Sequence, residues 1–176
     1  MKFYGLEEKR KLLNRPTFKI LEKFESSIGA EIGVQYGINA KNILEKYDIK
    51  TLYLIDPYTH YTGISGRDRY DPIWKEVAHR YLKDYEDKII WVEGFSWDVV
   101  DSIPNELDFV YVDGDHKREG IKRDLKLYYP KVRDGGLFAG HDYSQQFIPV
   151  KVAVNEFFEE LNIKVNTEVT DWWIIK

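Results

Sequence analysis

Five short apolar runs in this 176-residue chain end in acids or histidines. Glu31 stands two residues before Gly33, Asp56 follows Leu52-Tyr53-Leu54-Ile55, and Glu93 follows Ile89-Ile90-Trp91-Val92. Asp113 closes the run from Leu107 to Val112 and leads into Gly114-Asp115-His116. His141-Asp142 closes the run from Leu137 to Gly140. Any one of these acids has an ordinary reading as a turn former or helix cap. A fold alone does not need an acid at the end of nearly every strand. Carboxylates and imidazoles gathered along one edge suit proton transfer, hydroxyl recognition and the binding of a hard cation.

Strands alternating with helical segments position these groups. The expected strands are 28–34, 50–56, 89–93, 107–113 and 137–140, with a closing antiparallel pair at 163–168 and 171–175. The expected helices are 6–13, 16–25, 39–47, 70–86, one from about residue 117 that carries Ile121, Leu125, Tyr128 and Val132 inward until Asp134-Gly135-Gly136 stops it, and 150–161. This pattern predicts an α/β fold of about seven strands, mostly parallel with an antiparallel C-terminal strand and helices on both faces. No linker or repeat divides the chain, so one domain is expected over 1–176, with 1–26 as an N-terminal helical cover and 27–176 as the core. In such a sheet, ligands bind beyond the carboxyl ends of the strands.

The turn after the first strand narrows the ligand. Glu31-Ile32-Gly33-Val34-Gln35-Tyr36-Gly37 runs from a buried strand over glycine into a helix, which leaves backbone N–H groups facing a crevice. Asp56 lies roughly 20 residues beyond the glycines, where an acid ending the second strand hydrogen-bonds a ribose. A dinucleotide pyrophosphate wants Gly-x-Gly-x-x-Gly, but Gln35 occupies the middle glycine position. A carboxylate at Glu31 repels a pyrophosphate and attracts a methionine ammonium. The balance favours S-adenosylmethionine over a nicotinamide cofactor, and a NAD(P)-dependent oxidoreductase is the weaker alternative.

Composition excludes other classes. Net charge is −4, which does not support broad nucleic-acid binding, and no apolar run approaches the length of a membrane span. Cysteine is absent, which removes disulfides and thiolate chemistry. The charged N-terminus does not read as a signal peptide, so a cytoplasmic enzyme is the default. The basic group Lys117, Arg118, Lys122, Arg123 and Lys126 reads chiefly as the outer face of a helix. The aromatic stripe of 70–86 reads as core, and the polar stretch 57–69, with His60, as a functional or mobile loop.

These motifs together resemble class I S-adenosylmethionine-dependent methyltransferases. Glu31 to Gly37 is similar to their first motif. The set Asp108 to His116, Asp124-Leu125, Gly135-Gly136 and His141-Asp142-Tyr143 resembles the methyltransferase domain 24 group, related to catechol-type and sugar O-methyltransferases. The resemblance covers roughly residues 28–160. It implies that Glu31, Gly33, Gln35, Tyr36 and Gly37 line the methionine and ribose part of the cofactor site. Asp56 would bind the ribose hydroxyls, with Pro57 and Tyr58 beside the adenine, and Gly94, Phe95 and Ser96 along its edge. Asp113 would serve both cofactor and catalysis. The resemblance also implies an optional Mg²⁺ at Asp113 and Asp142, with Tyr143 where an asparagine often stands. Without a metal, Asp115, His116 or His141 is the base. The expected acceptor is a small hydroxylated metabolite or sugar. The chain has little beyond its core, so the 59–69 loop, the N-terminal helices or a second copy in a homodimer must cover the substrate. A cofactor-binding domain without turnover is the non-enzymatic alternative.

Overall fold

β1 (Ser27–Ile32) lies inside a seven-stranded sheet of order β3-β2-β1-β4-β5-β7-β6. The computed structural model describes residues 4–13, 15–60 and 72–176. β2 (Ile49–Asp56), β3 (Ile89–Glu93), β4 (Leu107–Val112) and β5 (Val132–Gly140) run parallel with β1. β7 (Asp171–Ile175) is antiparallel to β5, and β6 (Asn166–Glu168) is antiparallel to β7. This is the mostly parallel α/β sheet that the sequence pattern implied. No helix among the described residues is long and apolar enough to cross a membrane.

Both faces of the sheet are covered, so its inner strands are apolar on both sides. One face packs Ile32, Val110, Val112 and Phe138 against α5 (Arg118–Tyr128) and α6 (Ile148–Glu160). On the other face Leu52, Leu54 and Tyr111 meet α2 (Ile38–Lys46), α3 (Ile73–Tyr81) and the 3₁₀ helix Pro16–Lys23. Phe18 and Leu21, three residues apart, are buried there, a spacing that suits the three-residue turn of a 3₁₀ helix better than the α-helix expected for 16–25. α1 (Tyr4–Leu12) precedes it. Gly29 permits the closest approach within the sheet. A Cβ built there would lie 2.1 Å from the Phe109 ring of β4, so the ring fills the space a side chain would take.

Three boundaries differ from expectation. α5 ends at Tyr128 and a 3₁₀ turn carries Pro130, which has no N–H to continue the helical ladder. Val132 and Asp134-Gly135-Gly136 therefore belong to β5. The glycines absorb a register shift, with Leu107 opposite Val132 but Phe109 opposite Leu137. The helix expected over 70–86 is α3 followed by a second 3₁₀ segment, Lys83–Lys88; its first residues, like positions 61–69 of the expected loop, lie outside the described residues. β6 is shorter than 163–168, because Ile163 and Val165 pack onto the core before strand pairing begins.

Candidate active site

Sheet register brings the chemistry together. Pairing of Ile32 with Val112, and of Val112 with Gly140, sets the ends of β1, β4 and β5 side by side. Asp113 N–H then donates to Ile32 O (2.8 Å) and His141 N–H to Val112 O (3.1 Å). A cavity of about 720 Å³ opens along these ends. Glu31, Gly33, Gln35, Tyr36, Asp56, Pro57, Gly94, Phe95, Ser96, Asp113, Asp115 and His116 all line it. Gly37 and Tyr58 lie behind the wall. Gly37 is the left-handed cap of α2, and Tyr58 is buried with its hydroxyl donating to Gln35 O. His141 and Asp142 are also behind the wall, where His141 contacts Arg15 and Asp142 contacts His116, both lining residues.

The β1 turn is knitted by Asp56. Its Oδ2 accepts the Val34 and Gln35 N–H groups (2.9 and 3.0 Å), and its Oδ1 accepts Tyr58 N–H (2.9 Å). The acid expected at the ribose thus shapes the loop. Gly33 must be glycine here. It has φ +89, and a Cβ would sit 2.2 Å from the Asp113 carbonyl oxygen. Gly33→Ala should destabilise the fold by about 2 kcal/mol or more, lowering Tm by roughly 5 °C in a thermal melt. An unchanged Tm would show that β1 and β4 do not approach this closely.

Glu31 is 0% exposed, and neither carboxylate oxygen has a hydrogen-bond partner. Burial, with Asp113 nearby, pushes its pKa well above the usual carboxylate range. Asn39 on α2 is likewise buried; its amide lies close enough to Glu31 to oppose the rise in pKa, but neither amide atom makes a hydrogen bond of normal geometry. Unpaired buried polar groups are expensive, so two of them facing one cavity mark a place for a polar ligand.

Aromatic groups line the opposite end. Phe95 and Trp97 stack at 4.5 Å, and the Arg123 guanidinium lies 3.3 Å over the Trp97 ring. Ser96 Oγ donates to buried Asp124 (2.5 Å), whose pKa burial raises to about 7. Trp74 on α3 lines the cavity and donates to Tyr36 OH (2.9 Å), so one member of the stripe read as core belongs to the site. Of the basic group expected on the outer face of α5, Lys117 also lines the cavity, while Arg118 and Lys122 pair with Glu156. Glu93 is a surface partner of Lys75.

At the β4–β5 end the acids and imidazoles interlock. Asp142, at φ 61, turns one oxygen to His116 Nε2 (2.5 Å) and the other to His141 Nδ1 (2.9 Å). Burial opposes its charge, but the two imidazole hydrogen bonds outweigh burial and hold its pKa well below the usual range. Asp113 is raised to about 6, mainly by burial, while His141, Arg15 and His116 oppose the rise. Asp115 Oδ1 accepts Lys117 N–H (3.0 Å) at the start of α5.

Arg15 was not foreseen. It lines the cavity from the N-terminal segment, with Nη1 2.9 Å from His141 Nε2 and Nη2 4.0 Å from Asp113 Oδ2. Nothing local distinguishes it from a solvated arginine.

One ligand atom each from Asp113, His141 and Asp142 lies within 4.8 Å of the others, a spacing that could surround a metal. The implied Mg²⁺ does not fit these donors. Mg²⁺ takes oxygen ligands in a near-ideal octahedron. Among the described residues only two carboxylates converge here, both oxygens of Asp142 are held by imidazoles, and the third donor is a nitrogen. Tyr143 does not help, since its hydroxyl donates to Asn155 (2.8 Å).

A sheet of this order, with an acid-and-glycine turn at the point where strand order reverses, defines the class I methyltransferase architecture. The chain belongs to the methyltransferase domain family, which matches residues 30–143, within the class I S-adenosylmethionine-dependent group. It is 27% identical over 144 residues to uncharacterized protein R132 of Acanthamoeba polyphaga mimivirus, covering 74% of this chain. That match spans 59% of the relative's length, so this chain corresponds to only part of it. In fold it is similar to the O-methyltransferase NovP, with TM-score 0.68 and 20% identity over 98% of this chain and 79% of that one. It is similar too to the O-methyltransferase from Bacillus cereus in complex with SAH, with TM-score 0.69 and 10% identity over 99% and 90%.

Proposed function

We propose that the chain transfers the methyl group of S-adenosylmethionine to a hydroxyl oxygen of a small acceptor, with His116 taking the hydroxyl proton. The observation that carries this reading is Glu31, fully buried and unpartnered in a cavity that runs to the His116–Asp142 pair. A buried carboxylate facing a cavity calls for a cation, and the methionine ammonium supplies one. Asn39 offers the adjoining amide, Asp56 the ribose acceptor, and Phe95 and Trp97 a stacking surface for adenine. When bound, the cofactor supplies an activated sulfonium methyl. The protein's own residues must then align the attacking oxygen, exclude water and remove a proton.

His116 suits the last task. Its Nε2 faces Asp142 and donates to it, which orients the ring for proton transfer. Asp142 fixes the ring and steadies the imidazolium that forms. His141 supports Asp142 from behind, and Asp113 adds a second carboxylate 3.8 Å from His116 Nε2. The aromatic and polar lining favours a small ring-bearing or polyhydroxylated acceptor, and the O-methyltransferases among the fold relatives support oxygen as the acceptor atom.

Calorimetric titration tests the cofactor. S-adenosylhomocysteine should bind and NAD should not. Glu31→Gln should weaken S-adenosylhomocysteine binding by tenfold or more, since a charge-assisted hydrogen bond contributes about 1.5–3 kcal/mol. NAD binding without S-adenosylhomocysteine binding would sink the reading.

A further inference from the structure

We propose that Arg15 is the resident cation of the Asp113–His141–Asp142 cluster and keeps that cluster closed to divalent metal. The cluster has the spacing of a metal site, with three ligand atoms within 4.8 Å. Its positive charge already comes from within the chain, because the guanidinium lies 2.9 Å from His141 Nε2 and 4.0 Å from Asp113 Oδ2.

Arginine only donates, so its contact makes Nε2 the acceptor nitrogen of His141 and puts the ring proton on Nδ1. Thr170 Oγ1, 2.7 Å from Nε2, shares that acceptor. Nδ1 is the nitrogen that faces the acids, at 2.9 Å from Asp142 and 3.9 Å from Asp113. A protonated Nδ1 has no lone pair for a metal. Arg15 thus removes one ligand of the three and offsets the charge of the other two. It acts through His141 and is a positioning residue.

The placement is built in. Pro16 and Thr17 are buried, Thr17 Oγ1 donates to Asp171 (2.8 Å), and Phe18 packs on Tyr111 at 4.8 Å. Tyr111 OH also donates to Asp171 (2.9 Å), so the residues that follow Arg15 are fastened to β4 and β7. Arg15 Nε is buried without a partner, an arrangement a surface arginine would not keep.

The test uses Mn²⁺ alone, titrated calorimetrically into the full chain, with ¹⁵N NMR of the histidine rings. Wild type should show no Mn²⁺ binding at millimolar metal and an unprotonated His141 Nε2. Arg15→Ala should bind Mn²⁺ at least tenfold more tightly than wild type and lose that binding when Asp113→Asn is added. Arg15→Lys should keep the metal out. Micromolar Mn²⁺ binding by wild type, a protonated Nε2 in wild type, or no gain in a folded Arg15→Ala would each overturn the proposal. If Arg15→Ala does not fold, the wild-type titration and spectrum decide. S-adenosylhomocysteine binding, measured in parallel, separates this outcome from failure of the cofactor reading.

Discussion

His116→Asn should lower kcat for methyl transfer by a hundred- to ten-thousandfold while leaving S-adenosylhomocysteine affinity within about twofold of wild type. The assay is transfer from labelled S-adenosylmethionine to a panel of catechols, monosaccharides and polyols, followed on the member that wild type methylates. Asparagine keeps a polar group opposite Asp142 but has no second nitrogen to take the acceptor's proton. The reason for the size of the effect is the connection seen at Asp142, which directs one oxygen to His116 and anchors the other on His141. The loss should appear in kcat rather than in KM, because the missing step is proton removal in the transition state. A kcat within threefold of wild type would move the base elsewhere, with Asp113 the next group along the wall.

The cofactor-free protein should be more stable at pH 5 than at pH 8. Asp124 has a folded pKa of about 7 against 3.8 for the free side chain, and Asp113 one of about 6. A raised carboxyl pKa means that the folded state holds its proton longer than the unfolded state does. Below pH 4 both states are protonated and no penalty exists. From pH 4 to 7 the unfolded chain ionises first, and folding loses stability with each unit. Above pH 7 the penalty is complete. For Asp124, which is 1% exposed, the ceiling is about 4 kcal/mol.

Glu31 is shifted in the same direction. The lowered groups Glu7 and Asp142 contribute a stabilisation already complete above about pH 5, so they do not offset the trend. His79, whose pKa burial lowers, pulls the other way as a single and less buried group. Thermal melts should therefore show Tm lower by roughly 5–10 °C at pH 8 than at pH 5. Asp124→Asn should flatten much of the difference. A Tm that rises across this interval would contradict the burial of these acids.

The strand ends were legible because two independent signals coincide there. Apolar runs of strand length mark the sheet, and the acids that close them cannot all be turn formers. The parallel order then forces those ends to one edge, which is why ten of the twelve residues expected at the cofactor line the cavity. Gly37 and Tyr58 fell outside it because sequence adjacency does not say which side of a turn a residue faces. The boundary at β5 was misread for a local reason. Asp134-Gly135-Gly136 is a good helix stop, but Pro130 had already ended the helix, and the glycines serve a shift in strand register. Arg15 was invisible for a long-range reason. Its partner His141 lies 126 residues away, and no local spacing connects an arginine before a proline to a histidine after the fifth strand. Asn39 and Trp97 were missed similarly, since only burial and stacking distinguish them from ordinary helix residues.

The Gly29–Phe109 contact also carries a consequence in time. The notch above Gly29 is filled by a ring from β4, and the neighbouring Ile28 N–H is held by Asp108, 80 residues further along the chain. During synthesis at about 5–20 residues per second, β1 and β2 therefore emerge with an open parallel edge and wait roughly ten seconds for their central neighbour. β1 cannot complete its packing at Gly29 until the Phe109 ring arrives. Completion of the sheet centre thus waits for β4, and until then the inner edge of β1 is open to wrong pairing.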